Sequence, residues 1–223
     1  MPRYARRIYR RVRKAKRSQR RMKTRAAKRI NRSAAGVHYF KRKFVVANIT
    51  ASTSGAGVQT NARGALTFAL SSLPSASEFT ALFDQYKITG VKLDFIPFGD
   101  TVNVPITGSG TTSLMSPGGP LILAADYDDD STPAAASNLL EYQACKVIPV
   151  PRRHRMYIKP KFATEIYNGV TTGYGARSGW LDCANSGVTH YGVKYWMNAP
   201  SALSSSYSYQ VWATMYFACK GVI

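Results

Sequence analysis

The chain has 223 residues, 31 Lys and Arg against 11 Asp and Glu, and a formal net charge of +20 at neutral pH. That length allows one sizeable domain and a tail, and that charge asks for a polyanionic partner. No apolar run approaches the roughly 18 residues of a membrane span, and no hydrophobic stretch follows the charged N-terminus, so neither membrane insertion nor secretion is expected.

Residues 1–36 make the first unit, a basic arm. The first acidic residue of the chain is Glu78, and nineteen cations lie between Met1 and Lys43. They are Arg3, Arg6, Arg7, Arg10, Arg11, Arg13, Lys14, Lys16, Arg17, Arg20, Arg21, Lys23, Arg25, Lys28, Arg29, Arg32, Lys41, Arg42 and Lys43. The remainder holds 12 cations against 11 acids, so the charge divides into +19 on the leading segment and +1 on everything else. Like charge at this density keeps such a segment unfolded in isolation. The cations would surround a helix on all sides, leaving no apolar stripe to dock it on a core. Lys and Arg in this number neutralise phosphates and release counterions, which yields strong, salt-dependent, sequence-independent nucleic-acid binding. Tyr4 and Tyr9 are placed to stack on unpaired bases. A nuclear import signal needs about five to eight basic residues, so import is a second use of the same residues rather than their whole purpose.

From Val37 to Ile223 the pattern becomes short apolar runs divided by Gly, Ser, Pro and Asn, which predicts a β domain. Strands are expected over Tyr39–Thr50 and Gln59–Leu70, then a short amphipathic helix in SASEFTALFDQY capped by Ser75 or Ser77. In YKITGVKLDFIPF, Tyr86 and Ile88 share one parity while Val91, Leu93 and Phe95 share the other, so a bulge is expected at Thr89-Gly90. A long loop Gly99–Gly119 follows, then a strand Leu121–Ala125, a helix Ala134–Glu141 opened by Pro133, and strands Ala144–Val150 and His154–Phe162. Ala163–Val188 reads as loop. In THYGVKYWM, Tyr191, Val193, Tyr195 and Met197 define an apolar face with His190 and Lys194 opposite. The final strand is the clearest: Tyr207, Tyr209, Val211, Ala213, Met215, Phe217 and Cys219 fall on one parity. Eight strands with long loops describe an all-β, antiparallel jelly roll or a related two-sheet sandwich.

A second basic feature lies inside this domain. In PRRHRMYIKPK, Arg153, Arg155, Tyr157, Lys159 and Lys161 alternate with Met156, Ile158 and Phe162, so a single strand would present four cations around a tyrosine. These are four of the twelve later cations, which favours a second nucleic-acid surface over a merely solvated face or subunit ion pairs. The run Asp126, Asp128, Asp129, Asp130 lacks the glycine and glutamate of an EF-hand loop and reads as a turn, with calcium as the minority alternative. Cys145, Cys183 and Cys219 are far apart without CxxC spacing; they imply no disulfide framework or zinc cluster and are expected as buried thiols. No sequence motif of a hydrolase, metalloprotease or nucleotide-binding loop occurs, so neither an enzyme nor a cofactor is expected. Cys183 and His190 could form a nucleophile–base pair, but a packed thiol beside a surface or interface histidine is the simpler reading.

Several segments resemble one family. FDQYKITGVKLDFIPF at Phe83–Phe98, DYDDD at Asp126–Asp130, HRMYIKPKF at His154–Phe162 and GWLDCANSGVTHYGVKYW at Gly179–Trp196 occur in an order similar to that of capsid proteins from circoviruses and related Rep-encoding circular single-stranded DNA viruses. The resemblance implies a jelly roll of strands B to I in two sheets, with sixty copies in a T=1 shell and the arms turned inward to a circular single-stranded DNA genome. It implies a virion protein that passes through the host nucleus, with import factors and a cell receptor among its partners. Sixty arms would neutralise on the order of a thousand phosphates, a scale that suits a very small genome. Jelly-roll capsids that package RNA, and a nonviral ribosomal-type protein with a basic extension, are the rival readings. The near-neutral body argues against the second, because RNA surrounds a ribosomal protein on its globular part as well.

Overall fold

Side chains that alternate with a period of two place an apolar row on one side of each strand, and two such rows facing each other make a sandwich core. A computed structural model of the chain describes residues 36–98, 101–102, 119–167, 173–201 and 205–222. Thirteen strands occur among the described residues. They are β1 (Val37–Thr53), β2 (Gln59–Thr60), β3 (Ala62–Phe68), β4 (Phe83–Pro97), β5 (Thr101–Val102), β6 (Leu121–Ala125), β7 (Lys146–Ile148), β8 (His154–Ile158), β9 (Phe162–Tyr167), β10 (Gly173–Arg177), β11 (Leu181–Asp182), β12 (His190–Met197) and β13 (Ser205–Val222).

The larger sheet runs β11-β4-β13-β1-β2, with β8 following β11 along the same edge of β4 and β5 on β13; the smaller runs β3-β12-β6-β7. Lettering the eight principal strands β1, β3, β4, β6, β7, β8, β12 and β13 as B to I, one sheet contains B, I, D and G and the other C, H, E and F. That arrangement is the jelly roll, and every pairing in it is antiparallel. The expected fold is thus observed.

The centre of the larger sheet is β13. Its odd-numbered residues from Tyr207 to Cys219 are all buried, as their parity requires. Each large apolar side chain taken out of water this way favours folding by about 1.5–3 kcal/mol. The phase slip in β4 is a bulge: Gly90 pairs with Tyr216 and Ile88 with Phe217, leaving Thr89 extra. Both halves of the slipped pattern are therefore buried, with Tyr86 and Ile88 on one side of it and Val91, Leu93 and Phe95 on the other.

Some expectations require correction. The run His154–Phe162 is not one strand. It breaks at Lys159 and Pro160 into β8 and β9, since proline offers the ladder no N–H. The supposed loop Ala163–Val188 contains the end of β9, the β9–β10 hairpin, β11 and a 3-10 turn at Cys183–Asn185. Phe162 and Ile166 of β9 fall on one parity and Ala163 and Tyr167 on the other, so no apolar alternation reveals it. The loop Gly99–Gly119 lies largely outside the described residues, apart from β5, which pairs with Ser205 and Ser206. Ser75 does precede the helix Ala76–Thr80, but in a left-handed conformation with no side-chain cap. The second helix is Ala136–Leu140, its start tied by the Ala135 N–H donating to Asn138 Oδ1 at 3.1 Å.

β12 also departs from simple alternation. Gly192 is the extra residue of a bulge between Tyr191 and Val193. The bulge returns His190 to the inner face shared by Val193 and Met197, where it is 2 % exposed against the rings of Tyr86 and Phe162. A Cβ at Gly192 would collide with Phe68 and Ile158, so glycine permits the two sheets to close there. Lys194 and Trp196, on the other face, are buried as well. Trp196 packs with Ile122, Ala124 and Leu139, so the helix Ala136–Leu140 covers the back of the smaller sheet.

Candidate nucleic-acid interface

The arm residues Arg3 to Arg32 lie outside the described residues. Lys41, Arg42 and Lys43 do not belong to the arm at all; they sit within β1. Sixteen cations therefore remain on residues 1–35, and the domain that follows carries 15 cations against 11 acids, +4 rather than +1.

The strand register explains where those three cations point. Arg42 lies opposite Met215 on the inward side, between Phe40 and Phe44. Its guanidinium packs 5.3 Å from the Phe79 ring centroid and 3.6 Å from Glu78. Lys41 and Lys43 lie opposite Tyr216 and Thr214 and point outward. The Lys43 ammonium sits 4.5 Å from the Trp212 ring centroid, and the indole N–H donates to Gln210 Oε1 at 2.8 Å.

Across β13 the same outward rows continue. Thr214 faces Lys92 of β4, and Lys92 faces Tyr157 of β8; Trp212 faces Asp94, and Asp94 faces Arg155. Arg153 Nε donates to Asp94 Oδ1 at 2.8 Å while its terminal nitrogen donates to Oδ2, and Arg155 Nε reaches Oδ2 at 3.4 Å. The hydrogen bond from Arg153, with both guanidinium charges, holds the Asp94 carboxyl below its ordinary range. Tyr157 is 56 % exposed and lies across Gly90, where a Cβ would collide with its ring. Its ring centroid is 6.4 Å from that of Tyr216. Further along, Lys87 is outward opposite Ala218, and Lys220 stacks 4.7 Å from the Trp180 ring centroid.

The basic strand read from sequence is thus divided. Arg153, Arg155 and Tyr157 join this sheet face. Lys159 follows the end of β8 and is exposed. Lys161 has crossed to the other sheet, bridging to Tyr191 with its ammonium 5.3 Å from the Tyr127 ring centroid. The four cations do not share one surface. In exchange the face collects Lys41, Lys43, Lys87, Lys92 and Lys220, together with Trp212 and Tyr216. Lys87, Lys92, Lys220, Trp212 and Tyr216 stand alone in sequence. The available signal was parity: on β4 and β13 each sits on the face opposite the apolar row.

Beside this face a groove of about 760 Å³ opens between β7 and β8, lined by Lys146, Val147, Ile148, Pro149, Arg152, Arg153, His154 and Arg155. Burial, with Lys146 and Arg152 nearby, lowers the His154 pKa, and its Nε2 has no hydrogen-bond partner among the described residues. Lys146 stands in the three-residue β7, and Arg152 lies between β7 and β8 on the parity opposite Arg153 and Arg155, so alternation singles out neither.

The acidic run is a turn organised around an internal lysine. Lys194 Nζ lies 2.9 Å from Asp126 Oδ2, contacts Asp129, and donates to Ser131 Oγ at 3.0 Å. Tyr142 Oη donates to Asp126 Oδ2 at 2.6 Å. Burial by itself would raise the Asp126 pKa; hydrogen bonds from Asp128, Tyr142 and Lys194 outweigh it and hold the carboxyl well below the carboxylate range. The same bond to Asp126, with burial, pushes Tyr142 up to about 12. Among the described residues no group of three or more His, Cys, Asp and Glu is placed to hold a metal.

Cys183 and His190 are both buried, so the expected surface histidine is an interior one, returned to the core by the bulge at Gly192. Burial, then Asp182 and Asp84, raises the Cys183 thiol, and the His190 Nδ1 lies 2.9 Å from the Val188 carbonyl. All three cysteines are free thiols, with Cys183 and Cys219 buried and Cys145 half-buried.

Comparison with known proteins agrees with this architecture. The family described as "Circovirus capsid protein" matches residues 6–223. No curated protein sequence matches significantly. Among solved structures, the 60-mer of BFDV capsid protein is similar at 19% identity and a TM-score of 0.55, covering 82% of this chain and 92% of that one. The decameric BFDV capsid protein gives 19% identity and 0.50, covering 82% and 98%. A Cucumber Leaf Spot Virus chain gives 11% identity and 0.53, covering 84% of this chain and 52% of its own.

Proposed function

This chain belongs to the circovirus capsid protein family, and from that premise we propose that copies of it assemble into a closed T=1 shell that packages a circular single-stranded DNA genome. The similar BFDV protein forms a 60-mer, which supports sixty copies here. Residues 1–36 serve as the nucleic-acid-binding arm and 37–223 as the jelly-roll shell domain. Segregation of charge carries this reading. Sixteen cations and no acid occupy residues 1–35, ahead of a domain whose net charge is +4. Phosphate neutralisation is thereby concentrated on a segment that needs no fold of its own, while the modest charge of the domain limits repulsion between neighbouring copies. Arg153, Arg155 and Tyr157, with Lys41 and Lys43, add a second contact surface. The arm also serves nuclear import, which places the protein in the host nucleus before it enters the virion.

Electron microscopy of purified full-length protein tests the assembly. Particles on the 20-nm scale are expected, and only monomers or dimers across salt and nucleic-acid conditions would refute it. Deleting residues 1–35 tests the arm: shells are expected to form with little nucleic acid inside, and unchanged nucleic-acid content would refute its role.

A further inference from the structure

Resting on that packaging reading, we propose that the outward face of the larger sheet, centred on Trp212, Tyr216 and Tyr157, is a base-stacking platform that binds single-stranded in preference to duplex nucleic acid.

The two sheets treat their outer faces differently. The smaller one is covered by the helix Ala136–Leu140, which packs on Trp196. The larger one keeps Lys41, Lys43 and Tyr157 exposed, with Lys92, Trp212 and Tyr216 half-exposed, in the middle of the sheet. These rings stand on the face opposite the buried row of β13. Their neighbours are cations: Lys43 over Trp212, Lys41 opposite Tyr216, Lys92 opposite Tyr157. Along β4 from Lys87 to Asp94, Asp94 is the one acid on this face among the described residues, and two arginines already neutralise it.

Cations alternating with rings match the chemistry of an unpaired strand, whose phosphates need positive charge and whose bases offer flat apolar faces. A duplex hides those faces and offers phosphates alone. The rings are also held ready. Gln210 fixes the edge of the Trp212 indole, and Gly90 leaves space for the phenol end of Tyr157 over β4. The arm enters this sheet through β1, so a strand gathered by the arm is delivered beside the face.

The test uses full-length protein at a salt concentration that weakens the arm's phosphate contacts. Affinity for an oligodeoxythymidine is compared with that for an abasic oligomer of equal length and for a duplex. The base-bearing single strand should bind roughly tenfold or more tighter than the abasic one. Trp212→Ala and Tyr157→Ala should each shrink that ratio, and Tyr157→Phe, which keeps a ring, should retain it. Tyr157 is exposed, so its variants remain informative if the Trp212 variant folds poorly. Equal affinity for base-bearing and abasic strands, ratios unchanged in the variants, or duplex binding that falls in parallel with single-strand binding would each overturn the platform. Nucleic-acid content of particles is governed by the arm. Filled particles with no base dependence would sink the platform alone, whereas empty particles would sink the packaging reading.

Discussion

Lys194 shows how one residue can hold a loop to a sheet. Its side chain is 7% exposed and its partner Asp126 is 2% exposed. Replacing Lys194 with Met leaves a buried carboxylate without its cation, a change that typically costs about 3–5 kcal/mol. A marked fall in the thermal midpoint is expected by calorimetry, whereas Asp129→Asn, at the exposed end of the cluster, should cost much less. The pH dependence has a definite sign. The folded pKa of Asp126 lies below its unfolded value of 3.8, so its contribution is present above that value and is lost as pH falls through the folded one. Tyr142 rises from 10.0 to about 12, so its contribution is present below 10 and is lost as pH rises toward 12. A Lys194→Met variant should show a flatter acid limb in its pH–stability curve. Neither carboxylate nor lysine revealed this pairing in sequence. Asp126 and Lys194 are far apart along the chain, and the alternation of β12 suggested only that Lys194 faced outward.

At the scale of elements, β4 and β13 were legible almost residue by residue, including the bulge, because each buries one complete face and a register slip would expose it. The β9–β10 hairpin was not, because the apolar residues of β9 fall on both parities and leave no apolar period. The basic strand was legible in part. Alternation put Arg153, Arg155 and Tyr157 on one face, but Pro160 ended the strand before Lys161. The acid opposite them belongs to a separate strand, β4. Asp94→Asn should release both arginines toward solvent and phosphate. Nucleic-acid affinity is expected to rise, and the salt slope of log affinity to steepen by about one to two. An unchanged slope in a salt titration would show that these arginines do not reach phosphate. Gly90→Ala offers a complementary check. The added methyl collides with the Tyr157 ring, while an alanine in a strand is itself well tolerated, so stability should hold within about 1 kcal/mol as single-strand affinity drops toward that of Tyr157→Ala.

For the whole molecule, the arm and the sheet face act on the same partner through different physics. Affinity of the full-length protein for single strands should fall steeply between low and high salt, and deletion of residues 1–35 should remove most of that slope. The residual, salt-tolerant binding is expected to depend on Trp212 and Tyr157. The sequence alone determined the division of charge, the β class, the two-sheet sandwich and the parity of its longest strands, because charge density and period-two burial are local properties of the chain. Tertiary structure alone decided which isolated residues meet. It moved Lys41 and Lys43 from the arm to the sheet, brought Lys92, Trp212 and Tyr216 beside Arg155, turned His190 inward and sent Lys161 to the other sheet. Those outcomes depend on register between strands distant in sequence, on the bulge at Gly192 and on the break at Pro160, which a periodic pattern does not encode.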